Sequence, residues 1–340
     1  MKVLPQIDSS KSKRVDLDVK DKKILHYLSG DARAPLSEIA KKVKLSRDSV
    51  QYRLNSLESK GVLKKTRTVV NTSKLGYESY HIFLRLNNPK EEIERKFIQS
   101  IKDLPFVRAI IKVYGSYDFE IALIAKGIQE FDNIINLIIE KAGDNLRDYE
   151  IIILTNNYVS RSFPKNFIKE DKNQDFIKKK HKVIESNKID SKDIEIIKVI
   201  RDDARIPLID ISKKVKLSPD AVSYRLKNLY GNFIISYIPT INYNSIGYSI
   251  NIVLLNLIPL NKENEKKLAD FLNSNSNILW ASKSIGKYNT IIYTCTRYDS
   301  YLQSTISELR SLFPKNIINY DSFLAAVEYK YTYAPDCLFK

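Results

Sequence analysis

The sequence predicts an α+β protein with two winged helix-turn-helix heads, each followed by a ferredoxin-like βαββαβ domain. Three observations carry this reading: a repeat that spans the chain, a three-helix pattern opening each copy, and a strand-helix-strand-strand-helix-strand order filling the rest. Residues 21–57 match residues 193–229 without a gap at an offset of 172, with 20 of 37 positions identical. DARAPLSEIAKKVKLSRDSVQYRL (31–54) stands against DARIPLIDISKKVKLSPDAVSYRL (203–226). After one deletion the match continues at an offset of 171, pairing Asn71 with Asn242, Gly76 with Gly247 and Gly115 with Gly286. A whole unit is therefore duplicated.

In each copy the first helix has apolar residues at helical spacing, Ile24, Leu25 and Leu28 or Ile196, Ile197 and Ile200. Pro35 and Pro207 suit the first turn of a short second helix, which buries Leu36, Ile39 and Val43 or their counterparts Leu208, Ile211 and Val215. Ser46 and Ser218 are the expected N-caps of a third helix, with Pro219 at N1 in the second copy and Asp48 or Asp220 near the positive end of the dipole. That helix buries Val50, Leu54 and Leu57, or Val222, Leu226 and Leu229. In the first α/β domain, strands are expected near 80–86, 107–114, 117–125 and 149–155, and helices near 90–102 and 128–141. The second copy places strands near 249–257, 278–285, 289–296 and 317–323, and helices near 261–273 and 299–312.

These elements divide the chain into an arm (1–20), a first head (21–70), a first sensor or dimerisation domain (71–156), a basic linker (157–192), a second head (193–241), a second α/β domain (242–323) and a tail (324–340). The two cysteines, Cys295 and Cys337, are too few for a disulfide framework, which fits a reducing cytoplasm. The amino terminus lacks the apolar stretch of a secretory signal, and no apolar run approaches the ~20 residues that a membrane helix needs.

The formal net charge of +16 invites a polyanionic partner, and its distribution sharpens the point. Residues 21–70 carry 12 basic and 5 acidic groups and residues 157–192 carry 10 and 5, whereas residues 71–156 carry 11 and 13. Charge concentrated on a helix-turn-helix implies double-stranded DNA, read by the N-terminal part of the third helix. Candidate DNA contacts are Ser46, Arg47, Ser49, Gln51, Tyr52 and Arg53, then Lys64, Lys65 and Arg67 in the wing. In the second head they are Ser218, Ser223, Tyr224 and Arg225. Arg47 suits guanine and Gln51 adenine; the second copy has Pro219 and Ser223 there. Its wing, Ile235-Ser236-Tyr237-Ile238-Pro239, is uncharged, and residues 193–241 carry only 8 basic against 6 acidic groups. The first head is thus expected to dominate. The alternative for Arg47 and Gln51 is a solvated helix face, and for Arg53 and Arg225 a structural role.

The combination Asp21-x-x-Ile24-Leu25, Asp31-Ala32-Arg33, Leu45-Ser46, Val50, Arg53-Leu54, Leu57, Gly61-Val62-Leu63, Gly76 and Gly115-Ser116-Tyr117-Asp118 resembles the leucine-responsive and asparagine-synthetase regulator (Lrp/AsnC) family, twice over. The resemblance implies a DNA-binding regulator whose α/β domain, of the RAM type, dimerises, assembles further and senses amino acids. It also places an effector site at Gly115, Tyr117 and Asp118, where Asp118 would pair with an amino group. The second copy has Gly286, Tyr288 and Asn289, without the carboxylate; the alternative is a pair of hairpin turns. Family members ordinarily carry one unit per chain, so the tandem arrangement predicts an internal pseudo-dimer of the two α/β domains, or a homo-oligomer.

Two other readings compete. Sirohaem decarboxylases resemble the same family and would make the chain an enzyme. Yet His26, His81 and His181 are scattered, leaving His81 as the sole candidate, and neither a phosphate loop nor a nucleophile elbow is visible. A nucleoid-organising protein of low specificity would use the Lys178-Lys179-Lys180-His181-Lys182 run. No metal-ligand spacing appears, and no cofactor is expected.

Overall fold

The computed structural model describes residues 14–87, 90–168 and 188–340. The first unit contains α1 (Val19–Gly30), α2 (Leu36–Val43), α3 (Arg47–Ser59), β1 (Leu63–Val70), β2 (Glu78–Leu86), α4 (Glu91–Lys102), β3 (Val107–Tyr114), β4 (Phe119–Ala125), α5 (Gly127–Ala142) and β5 (Leu146–Ser160). The second repeats the order with α6 (Ser191–Ile200), α7 (Leu208–Val215), α8 (Pro219–Leu229), β6 (Ile234–Ile241), β7 (Ser249–Leu257), α9 (Lys262–Ser274), β8 (Ile278–Ile285), β9 (Thr290–Thr296), α10 (Asp299–Leu312) and β10 (Ile317–Tyr331). The Lys178–Lys182 run and His181 lie outside the described residues.

Each head starts with a capping box whose N-cap lies three residues ahead of the expected head boundaries at residues 21 and 193. Asp18 caps α1 and is answered by Asp21, and Asp190 caps α6 and is answered by Asp193. Ser46 and Ser218 accept from the backbone N–H groups of Ser49 and Ala221, as their cap positions require. The turns between second and third helices run through Lys44 and Lys216, both left-handed at φ 55°. The lysine side chains Lys20 and Lys192 donate to the carbonyls of Val43 and Val215, closing the C-termini of α2 and α7.

The two heads are interlocked. Wing strand β1 pairs antiparallel with β6, so each wing belongs to both units. The Asp-Ala-Arg segments then reach across: Arg33 donates to the Ala204 carbonyl, and Arg205 donates to the carbonyls of Ala32 and Ala34 at 2.8 and 3.1 Å. Burial pushes both guanidinium pKa values down from their ordinary range. These repeated arginines join the heads and add nothing to a phosphate-binding surface.

The α/β domains form one closed eight-stranded barrel in the order β10-β3-β4-β2-β5-β8-β9-β7. The sequence reading ended the last strands at Thr155 and Phe323; both continue, to Ser160 and Tyr331. The first part of β5 pairs with β2 of its own unit and the rest with β8 of the other. Likewise β10 pairs first with β7 and then, from Leu324, with β3. Residues 324–331, read as tail, therefore close the barrel. Paired edges leave no strand of the barrel unsatisfied, and the arrangement is an internal pseudo-dimer.

Strand alternation sorts the residues between cores. Along β2, Tyr80, Ile82 and Leu84 lie beneath α4 and α5, whereas Phe83 belongs to the interior cluster with Trp280, Tyr293 and Phe323. The same alternation turns His81 of β2 and Glu120 of β4 away from the helices and into the barrel.

Candidate nucleic-acid interface

The exposed face of α3 carries Arg47, Gln51 and Tyr52, and that of α8 carries Pro219 and Tyr224. Tyr52 is 75% exposed and Tyr224 67%, large aromatic surfaces left outside the cores that bury Val50, Leu54 and Leu57 on the opposite face. Gln51 donates to the Asn55 side chain one turn on, at 2.7 Å, which holds its amide along the helix. Ser46 and Ser49 share a hydroxyl bond of 2.8 Å at the helix start. Ser223 lies half-buried in a shallow groove beside Asp31 and Arg33 of the first head. Lys64 and Lys65 are exposed on the wing.

Three expected contacts are engaged elsewhere. Arg53 Nη1 donates to Asp18 Oδ2 at 2.6 Å and Asp21 Oδ1 at 2.7 Å. Arg225 repeats the pattern with Asp190 and Asp193 at 2.7 and 2.9 Å. Each ties its third helix to the capping box of the first, so the structural alternative describes both. Arg67 turns inward and donates to the Tyr331 carbonyl at 2.6 Å.

The hairpin residues read as an effector site also have structural partners. The Asp118 carboxylate accepts from the Leu86 N–H at 2.7 Å, and Asn289 accepts from the Leu257 N–H at 3.0 Å. The Asp-to-Asn difference keeps that acceptor, so both turns are closed by the same backbone bond. Tyr117 is buried against Phe323, and the Tyr288 hydroxyl donates to Asp321. A Cβ at Gly115 would lie 2.7 Å from Phe323, and one at Gly286 2.5 Å from the Ile151 carbonyl oxygen. These glycines permit the close approach of one unit to the other.

The barrel holds a polar cluster that the sequence reading saw only as His81. The His81 ring, buried, donates through Nδ1 to Glu120 Oε1 at 2.5 Å, and the same oxygen accepts from the Tyr293 hydroxyl of the other unit. Burial and the adjacent Glu120 push the Tyr293 hydroxyl well above its ordinary pKa. Trp280 stacks on the His81 ring at 6.1 Å, nearly parallel. Glu120, Tyr293 and Trp280 are remote in sequence and match no spacing motif. Alternation of a charged residue within the apolar run FEIALIA was the one available sign. Among the described residues, no group of three or more His, Cys, Asp or Glu is placed to hold a metal ion, and no helix is long and apolar enough to cross a membrane.

Comparison with known proteins places these features in context. Residues 17–58 match the AsnC-type helix-turn-helix domain and residues 189–230 a winged helix-turn-helix DNA-binding domain. The regulator LrpA of Pyrococcus horikoshii is 33% identical over 138 residues, which cover 96% of that protein and 41% of this chain. The proline dehydrogenase transcriptional activator of Rhodobacter capsulatus is 26% identical over 145 residues, 90% of its length and 42% of this one. One such relative thus corresponds to one repeat. Among solved structures, the siroheme decarboxylase NirDL superposes over 92% of both chains with a TM-score of 0.61 at 11% identity, a likeness of fold.

Proposed function

The chain belongs to the Lrp/AsnC family of helix-turn-helix transcription regulators, and from that premise we propose that it binds discrete double-stranded DNA sites in the cytoplasm, chiefly through its first head, and answers to a small effector such as an amino acid. The observation that carries the reading is the uncommitted outer face of α3. Arg47 and Tyr52 point away from the protein, at the end of a helix whose capped N-terminus suits major-groove entry. Arg47 reads guanine, Gln51 reads adenine after releasing Asn55, and Lys64 and Lys65 meet phosphate. Pro219 and the uncharged wing make the second head auxiliary, so the favoured sites are asymmetric. Association of whole chains adds further heads to longer sites.

Footprinting of intact chain and an Arg47→Ala/Gln51→Ala/Tyr52→Ala variant across a salt series tests this. Discrete protection that the variant loses supports the reading. Even coating of DNA by both proteins would favour the nucleoid-organising alternative, and no protection at low salt would sink DNA binding altogether.

A second reading, catalysis on a tetrapyrrole, is favoured by one observation: the His81–Glu120–Tyr293 cluster lies inside a barrel whose whole-chain fold resembles a siroheme decarboxylase. His81 would be its proton-transfer group. Purification with a coloured tetrapyrrole, or turnover lost in His81→Asn, would favour it over the regulator.

A further inference from the structure

A cavity of about 400 Å³ opens at the junction of the two units. Its mouth is formed by the connector between the first wing and the barrel, including exposed Ser73, Gly76 and Glu78. Its inner wall includes His81, Arg108 and Trp280, each at least 97% buried. Arg108 and His81 come from the first unit and Trp280 from the second, so the cavity exists only because the barrel is closed across both.

The polar atoms in that wall are unanswered. Among the described residues, Arg108 Nε, Trp280 Nε1 and His81 Nε2 have no hydrogen-bond partner. Burial pulls the Arg108 pKa down, and after burial its largest influences are the Tyr331, Tyr333 and Tyr293 hydroxyls rather than a carboxylate. Of the buried Glu120 carboxylate, Oε1 accepts from His81 and Tyr293, Oε2 has no partner among the described residues, and neither oxygen pairs with Arg108. A guanidinium buried without a counter-ion is strongly unfavourable, as is each buried N–H left unbonded. His81, held through Nδ1 by Glu120, turns its Nε2 edge to the same wall. Trp280 and the buried Tyr77 supply apolar aromatic surface in the same cavity.

We propose that this cavity is a binding site for a small organic carboxylate with an aromatic or apolar body. Its carboxylate accepts from Arg108 and Trp280, and its body lies against the indole and Tyr77. The site differs from the hairpin turns at Gly115 and Gly286 and deepens the effector reading above. Occupancy neutralises Arg108 and bridges the two units directly behind the first wing, which gives a ligand a route to the DNA head.

Trp280 is the single tryptophan of the chain, so its fluorescence reports on the site without labels. The test is titration of the intact chain, free of DNA, with benzoate, phenylacetate and 3-phenylpropionate, and with phenylacetamide as the uncharged counterpart of phenylacetate. The expected result is a saturable emission change with at least one carboxylate, at least tenfold weaker response to phenylacetamide, and a matching rise in melting temperature. Arg108→Gln abolishes the response. Should that variant fail to fold, the carboxylate-to-amide ratio on the unaltered chain decides. No saturation by any of the three carboxylates below about 10 mM, a ΔG of only ~3 kcal/mol, overturns the proposal, as does equal binding of acid and amide. Because no DNA is present, failure here leaves the footprinting result intact, and the converse holds.

Discussion

Arg47 and Arg53 lie six residues apart on one helix and have opposite fates, which sequence types alone do not reveal. Arg53 is fixed by Asp18 and Asp21, and Asp18 precedes the segment over which the repeat was recognised. Its role was therefore legible only as one of two alternatives. Likewise, Asp118 matches a family motif by identity, while its bond to the Leu86 N–H depends on strand register. We expect Arg53→Ala to lower stability by about 1 kcal/mol in urea unfolding, since a partly exposed ion pair contributes little beyond its capping role. Arg47→Ala should leave stability unchanged within ~0.5 kcal/mol while weakening DNA binding. A pH dependence follows from the caps. Burial tends to raise the Asp18 and Asp190 pKa values, but the N–H groups of Asp21 or Asp193 and the paired arginines together hold both below the ordinary carboxylate value. Depressed folded-state values stabilise above the unfolded pKa of ~4 and lose that contribution as pH falls through the folded value. Thermal melts between about pH 5 and 2.5 should therefore show a steeper acid loss for the natural chain than for Asp18→Asn/Asp190→Asn.

Element order was readable because binary pattern, caps and repeat agreed; the joining of elements was not. Thr155, Asn156 and Asn157 are exposed and polar, the usual sign of a strand end, and the pairing of β5 with β8 is irregular at that point. The strand persists because the second unit supplies an edge, a cause that lies over a hundred residues away. The same reasoning applies to Glu328 and Lys330 in β10, where Lys330 donates to the carbonyls of Lys102 and Leu104 beyond the strand edge. The glycines measure how tightly these crossings are built. A Cβ at Gly286 meets the Ile151 carbonyl oxygen, a backbone atom that cannot swing aside, whereas Gly76, at φ +81°, has open space around it. Gly286→Ala should cost about 2–3 kcal/mol through crowding and strain, and Gly76→Ala about 1 kcal/mol through its backbone conformation alone. Equal losses in urea unfolding would mean that the close approach at Gly286 contributes nothing to joining the units.

At the scale of the whole molecule, the two repeats differ in their heads while building one barrel together. The barrel and the paired wings are built from both copies, whereas the position proposed to read bases differs between them, Arg47 in the first head and Pro219 in the second. Charge follows the same division. Of the first head's basic residues, Arg33, Arg53 and Arg67 are committed to the protein itself, and the net excess in the sequence overstates the groups that can displace counterions. Exposed Lys65 is one that can. Neutralising one phosphate contributes ~0.9 to the slope of log affinity against log salt concentration on duplex DNA. Lys65→Gln should therefore reduce the magnitude of that slope by about 1 in fluorescence anisotropy titrations over a salt series. Arg67→Met, which removes a charge already facing the Tyr331 carbonyl, should leave the slope unchanged while lowering stability. An unchanged slope for Lys65→Gln together with a reduced one for Arg67→Met would mean that the wing reverses its faces on DNA, and with it the assignment of the first wing as a phosphate clamp would fail.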